Sequence, residues 1–280
     1  MNIRELLRAA IIELTQANIP TARLDARLLL EHAANLPSQT IYLQPELELD
    51  PSISENYQQL ITRRVNREPV AKIICSKAFW LDDFIVNNHT LDPRPDSEII
   101  ISAALELFPE KTGQFSFLDF GTGSGCLLLS LLREFPFAKG LGSDLSTEAL
   151  KVARQNIELL ALQDRASLIQ QNWGDALTGQ FDLIISNPPY IPTADIIGLE
   201  REVKLYDPLA ALDGGADGLD PYRYLAGQIA ALLKPSGYII LEFGYGQAES
   251  VQQIFAQKGY VLLKTLQDLA AIQRIAIFKI

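Results

Sequence analysis

The chain is predicted to be an α/β protein: a mostly parallel sheet covered by helices on both faces, preceded by a small helical bundle. Three patterns carry that prediction. From residue 115 onward strand-like and helix-like segments alternate, the first third repeats apolar residues at helical spacing, and the last two strand-like segments lie too close together for a helix between them. Strands alternating with helices pair in parallel through crossovers, and a parallel sheet needs cover on both faces. Strands joined by a short loop run antiparallel, so the sheet should end in an antiparallel hairpin.

In chain order, Ile3, Leu6, Leu7, Ala10, Ile11 and Leu14 fall on one helical face. A second helix starts after Pro20, carries Leu24, Leu28 and Leu29, and stops before Pro37. Ser52 with Glu55 three residues on has the form of a capping box, opening a helix that buries Ile53, Tyr57, Leu60, Ile61 and Val65. Helices this short are not stable singly, so a bundle over residues 1–69 is expected. Residues 70–92, with Val70, Ile73, Ile74, Phe79, Trp80, Phe84, Ile85 and Val86, read as a β-hairpin linker. DPRPDSE (92–98) is held extended by two prolines, and Asp96 or Ser97 is placed to cap a helix running to Phe108. Within 93–280, strands are predicted at 115–120, 139–144, 167–171, 181–186 and 238–243, with helices at 126–135, 147–160, 222–233 and 248–258. The closing hairpin takes 260–266 and 274–279. No internal repeat or low-complexity tract is present.

The 280 residues are 48% apolar, enough for one large domain or two smaller ones. Against 24 Lys and Arg stand 34 Asp and Glu, a formal charge of −10, which argues against a protein that lives by gripping nucleic acid. Two cysteines, Cys75 and Cys126, and two histidines, His32 and His89, supply neither a disulfide framework nor a metal cluster. The amphipathic start has no signal-peptide core, and no apolar window is long enough to span a bilayer. A reduced, cytoplasmic protein is expected, with monomer as the default.

The first predicted strand ends in DFGTGSG (119–125) and a helix follows at once. Glycines at 121, 123 and 125 permit the turn and a close ligand approach, and amides at a helix start favour a negative group. Cys126 stands where a dinucleotide fingerprint wants its third glycine, and no lysine follows to make a P-loop. Alone, the loop fits a tight turn as well as a ligand site. Asp144 strengthens it: it ends the next strand nineteen residues past Gly125, where an acid takes ribose hydroxyls, while Ser146 is better placed as the helix cap. Together they mark an adenosine-containing ligand.

The fourth strand runs into NPPY (187–190). Two prolines fix the backbone extended and remove two amide donors. The Asn187 carboxamide and the Pro188 carbonyl can then face the cleft as acceptors, with the aromatic Tyr190 beside them. Two oxygens suit the two hydrogens of a planar –NH₂, whose nitrogen would be aimed at an electrophile.

With G-x-G-x-G, the acid after strand two, NPPY and the terminal hairpin, the chain resembles the class I S-adenosylmethionine-dependent methyltransferases with their Rossmann-like sheet, and among them the release-factor glutamine methyltransferases. PRPDSE (93–98), DGGADGLDPYR (213–223), LEFG (241–244) and DLA (268–270) are similar to segments of that family, which also has a helical N-terminal domain. The resemblance implies that Gly121, Thr122, Gly123, Ser124, Gly125 and Asp144 hold S-adenosyl-L-methionine, that Trp173 lines its adenine pocket, and that Asn187, Pro188, Pro189 and Tyr190 bind the target amide, with Asn187 also beside the donor. It implies as substrate the Gly-Gly-Gln glutamine of class-1 peptide chain release factors, the proteins of translation termination, and gives the N-terminal domain the recognition of that substrate. Catalysis would rest on Asn187, Pro188 and Tyr190, with no metal. Asn172 stands where the family often has an acid, Ala271 where it has a glycine, and KIICS (72–76) is atypical.

Other features take plainer readings. Asp207, Asp213, Asp217 and Asp220 lack calcium-loop spacing. Cys126 reads as a small apolar filler, Glu242 as a structural hydrogen-bonding acid beneath the site, and both histidines as surface or interhelix residues. Arg63, Arg64 and Arg67 read as a solvated face able to meet an acidic partner. NPPY alone also fits an adenine or cytosine amino-methyltransferase acting on DNA or RNA, and a non-catalytic adenosine-ligand sensor is the third reading.

Overall fold

The computed structural model describes residues 1–173 and 177–280. The chain divides into two compact units, one of residues 1–75 and 200–206, the other of 76–199 and 207–280.

The first unit is helical: α1 (Ile3–Gln16), α2 (Ala22–Ala34), α3 (Ser38–Leu43), α4 (Pro51–Val65), α5 (Val70–Ile74) and, from far along the chain, α9 (Arg201–Tyr206). Its core packs Ile3, Leu6, Ala10 and Leu14 of α1 among Leu29, Leu30, Tyr57 and Ile61, and the Tyr57 hydroxyl donates to the Ala26 carbonyl at 2.9 Å. Three expectations change. The capping box belongs to α1, where Asn2 and Glu5 bond each other's backbone amides. At α4 the cap is Asp50, which accepts from the Ser52 amide at 2.8 Å and from the Ser52 hydroxyl at 2.6 Å, with Pro51 opening the helix. On α2 the buried face is Ala22, Asp25, Ala26, Leu29 and Leu30, and Leu24 is 45% exposed; small residues let the helix turn that side inward. The arginine run is not a solvated face either. Arg64 is buried, bonding Asp25 at 2.7 Å and the Glu202 carboxylate at 3.4 Å; Arg67 reaches Glu202 at 3.2 Å, and Arg63 binds Glu68.

The linker expected at 70–92 divides between the units. Val70, Ile73 and Ile74 recur at helical, not alternating, spacing and lie in α5, with Ile73 in the first unit's core. The hairpin is shorter, β1 (Ser76–Phe79) with β2 (Asp82–Ile85), and buries Phe79 and Phe84 in the second unit.

That unit continues with α6 (Glu98–Leu107), β3 (Ser116–Phe120), α7 (Cys126–Glu134), β4 (Lys139–Asp144), α8 (Thr147–Leu159), β5 (Ala166–Gln170) and β6 (Phe181–Ser186). After the excursion to α9 come α10 (Asp220–Leu232), β7 (Leu233–Glu242), α11 (Ala248–Ala256), β8 (Val261–Gln267) and β9 (Gln273–Lys279). The seven-stranded sheet has the order β5-β4-β3-β6-β7-β9-β8. It is parallel from β5 to β7, and β9 slots in antiparallel to both β7 and β8. Successive strand residues feed opposite apolar layers: Phe117, Leu183, Ile185 and Ile240 on one face, Leu118, Ile184, Ile239 and Leu241 on the other. At about 1.5–3 kcal/mol per fully buried large side chain, both layers stabilise the sheet, which is why its central strands read as continuous apolar runs. The order reverses between β3 and β6, and that crevice at the strands' carboxyl ends is where open α/β sheets bind ligands.

Candidate functional site

The two motifs leave neighbouring strands at that crevice. Beyond β3, Gly121, Gly123 and Gly125 have φ of +68°, +57° and +82°, a left-handed series that L-residues with side chains resist. The turn is closed locally: the Thr122 hydroxyl donates to Asp119 at 2.7 Å, the Gly125 amide to the Thr122 carbonyl at 2.8 Å, and the Thr122 amide to Ser143 of β4 at 2.9 Å. Asp119 is buried, and desolvation pushes its carboxyl up to about 7 against the opposing Thr122 bond. Asp144 ends β4 and accepts from the Gly123 amide at 2.9 Å and the Ser146 amide at 2.8 Å, tying the two strand ends together. Burial raises its pKa, opposed by those amides. Ser146 caps α8 through the Ala149 amide, as the sequence predicts.

Beyond β6 the partners are distant. The Ser186 hydroxyl bonds the Phe120 carbonyl at 2.8 Å, locking β6 to β3. Asn187 donates through Nδ2 to Ser97 Oγ at 3.0 Å, and Ser97 in turn donates to Glu242 Oε2 at 2.5 Å. Ser97 stands at the N-cap position of α6, as expected, but its hydroxyl makes no capping bond and turns instead to Asn187 and Glu242. Glu242 is buried, and desolvation lifts its pKa to about 7 while the Ser97 bond and Arg274 hold it down. The segment after NPPY is stitched to the 207–220 loop: Ile191 donates to Leu212 at 3.0 Å, Gly214 to Ile191 at 2.9 Å and Thr193 to Gly215 at 2.9 Å. Gln247 donates to the Tyr190 carbonyl at 2.9 Å and the Gly218 carbonyl at 3.3 Å.

A cavity of about 1020 Å³ opens between these loops. Gly121, Thr122, Gly123, Ser124, Asp144 and Trp173 form part of its wall, and Asn187 and Pro189 another part. Trp173 has φ +52°, and its indole lies 3.9 Å from where a Cβ on Gly121 would stand. Asn172 also lines the cavity, though exposed. Gly125, Pro188 and Tyr190 are not part of the wall. Gly125 instead starts α7, Pro188 is buried, and the Tyr190 ring packs on the apolar layer of α10 and α11, its pKa pushed to about 12 by burial and Glu242. Ser97, Asp92, Arg94, Leu209 and Tyr224 join the wall from segments that sequence reasoning had not assigned to a site, as does His89. PRPDSE was visible as a motif, but its role was not. Asn156 was missed altogether: buried on α8, it holds the Ser124 carbonyl at 2.8 Å and the Ile85 backbone at 2.7 and 3.0 Å, joining the glycine loop to the hairpin.

Cys126 lies at the cavity, and burial pushes its thiol up to about 12, the behaviour of a filler rather than a nucleophile. Among the described residues no group of His, Cys, Asp and Glu could hold a metal ion, and no helix is long and apolar enough to cross a membrane. Asp213 accepts from Thr193 at 2.7 Å and from the Gly215 amide, while Asp217 and Asp220 both pair with Arg223.

Residues 5–74 match the family model of the PrmC N-terminal domain, and residues 100–197 that of the methyltransferase small domain. A release factor glutamine methyltransferase of Rhodospirillum rubrum is 44% identical over 96% of this chain and 82% of its own. Another, of Caulobacter vibrioides, is 44% identical over 96% of this chain and 93% of its own. Among solved structures, a methyltransferase from Pyrococcus furiosus superposes with a TM-score of 0.52 at 21% identity, covering 80% of this chain and 98% of that one; it shares the class I methyltransferase fold.

Proposed function

The chain belongs to the release factor glutamine methyltransferases, and from that premise we propose that it methylates the side-chain amide nitrogen of the glutamine in the Gly-Gly-Gln loop of class-1 peptide chain release factors, with S-adenosyl-L-methionine as donor. The observation that carries the reading is a single cavity walled by the glycine loop of β3 and by Asn187 at the end of β6.

The residues fit the donor. Gly121 and Gly123, both left-handed, leave an uncrowded backbone before α7, Asp144 stands at the end of the neighbouring strand, and the Trp173 ring lies against the first glycine. Gly121, Thr122, Gly123, Ser124 and Asp144 would hold the donor, with Trp173 beside its adenine, and Gly125 would shape the turn. When bound, the donor supplies an electrophilic methyl on a sulfonium, so the cofactor carries the difficult chemistry.

The chain's own task is to prepare the nucleophile. An amide nitrogen is a poor one because its lone pair is delocalised into the carbonyl. The Asn187 Oδ1 would accept one of its hydrogens, orient it and stabilise the positive charge that develops there, while Pro188, buried behind the wall, would hold the loop extended. Pro189 would shape the wall beside them. No general base is required for this, because the methylated, positively charged amide nitrogen is strongly acidic and would release its extra proton to water, and Tyr190 supports the loop through its backbone bond to Gln247.

The deciding experiment offers labelled methyl donor with purified release factor, DNA and rRNA in parallel. Label is expected in the release factor and is lost when its Gly-Gly-Gln glutamine is replaced. Label in nucleic acid alone would overturn the reading. The charge of −10 supports the protein substrate.

A further inference from the structure

We propose that Ser97 is a positioning residue which, together with the Glu242 carboxylate, fixes which way round the Asn187 carboxamide stands, so that its oxygen rather than its –NH₂ faces the reacting amide. The proposal rests on the reading of Asn187 given above.

The two ends of a carboxamide have nearly the same shape, and only their hydrogen-bond partners distinguish them. Ser97 is 3% exposed, and its hydroxyl lies between a side chain just past β6 and one at the end of β7: Asn187 Nδ2 at 3.0 Å and Glu242 Oε2 at 2.5 Å. A hydroxyl carries one hydrogen, and an ionised carboxylate can only accept. Ionised Glu242 therefore takes that hydrogen, leaving Ser97 only lone pairs to offer Asn187. Its Nδ2 must then be the end that turns to Ser97, and Oδ1 is left for the target amide.

Protonation of Glu242 would undo this. The acid O–H can donate to Ser97 Oγ, whose hydrogen then goes to Asn187 Oδ1, and the carboxamide presents –NH₂ to an amide whose own hydrogens need an acceptor. Several groups bear on that titration. Arg274 of β9 favours the ionised form, Asp96 of the turn before α6 disfavours it, the Asn187 amide helps to hold the charge, and Tyr190, Tyr222 and Cys126 also feel it. Tyr222 donates to the Glu242 backbone carbonyl at 2.9 Å, fixing that end of β7. Burial brings the carboxyl to about 7, so the constraint is present above that pH and is lost as pH falls through it.

The test measures methyl transfer to release factor in three variants, with donor binding followed separately by calorimetry. Ser97→Ala should lower kcat roughly 10- to 100-fold, the scale of a small misplacement at the reacting atoms, with donor affinity unchanged. Ser97→Thr, which keeps the hydroxyl, should restore most of the rate. Glu242→Gln should abolish the fall in kcat below about pH 7. The proposal is overturned if Ser97→Ala turns over normally, if it loses donor binding as well as rate, if a folded Ser97→Thr is as slow as Ser97→Ala, or if the acid limb survives in Glu242→Gln. Failure of the unaltered enzyme to label release factor would instead overturn the proposed function.

Discussion

The loops leaving β3 and β6 stand side by side at the same crevice, yet they differ in how far they depend on distant partners. The glycine loop is closed by two bonds of its own, among Asp119, Thr122 and Gly125, and by three from later in the chain, from Ser143, Asp144 and Asn156. The NPPY loop is held by Ser97, Gln247 and the 207–220 loop, all far away in sequence. Both loops are preorganised by partners from beyond themselves, the NPPY loop wholly so and the glycine loop in part.

Four measurements test this contrast. The largest effect is expected at the acceptor: Asn187→Ala should lower methyl transfer by on the order of 10²-fold or more while donor binding persists, because only the NPPY side is disabled. Equal losses of both would mean the loops are one mechanical unit. Next, alanine at two glycines separates bracing from local strain. At Gly218, with φ +75°, a Cβ would stand 2.3 Å from the Tyr190 carbonyl oxygen, so Gly218→Ala should destabilise by about 1–3 kcal/mol and slow transfer as well. At Gly123 nothing lies nearer than 3.9 Å, and Gly123→Ala should cost only the left-handed backbone, about 1–2 kcal/mol in a melt without donor. Similar transfer kinetics for Gly218→Ala and the unaltered enzyme would remove the claim that the 207–220 loop braces NPPY.

The third prediction concerns pH. Asp119 is raised from 3.8 to about 7 in the fold, so it binds its proton more tightly folded than unfolded. Its contribution is full below the unfolded value and is lost as pH rises through about 7. Asp119→Asn should flatten the decline in Tm across that window, and an unchanged slope would refute the assignment. The smallest effect is at a turn outside the site. Ala271 has φ +60° in the β8–β9 turn, so Ala271→Gly should stabilise by about 0.5–1 kcal/mol in a thermal melt.

Much of this could be read along the chain. The alternation of strand-like and helix-like segments predicted the succession of strands and helices along the chain, three closely spaced glycines marked the turn, and two prolines after a buried strand marked the rigid exit at Asn187. Where competing signals lay within a few residues, sequence was less reliable: Asp50 displaced Ser52 as the α4 cap because Pro51 already suits the first helical position, and Val70, Ile73 and Ile74 turned their spacing to a helix. Which polar groups meet was settled by packing between distant segments. The Ser97 hydroxyl looked like a capping group until β6 and β7 brought Asn187 and Glu242 to it, and Arg64 looked solvated until Asp25 and Glu202 closed on it. The physical reason is one of range. Backbone preference and apolar periodicity act over a few residues and are written in their order. A buried polar side chain must find its partner wherever folding brings one, and a linear pattern does not record that meeting.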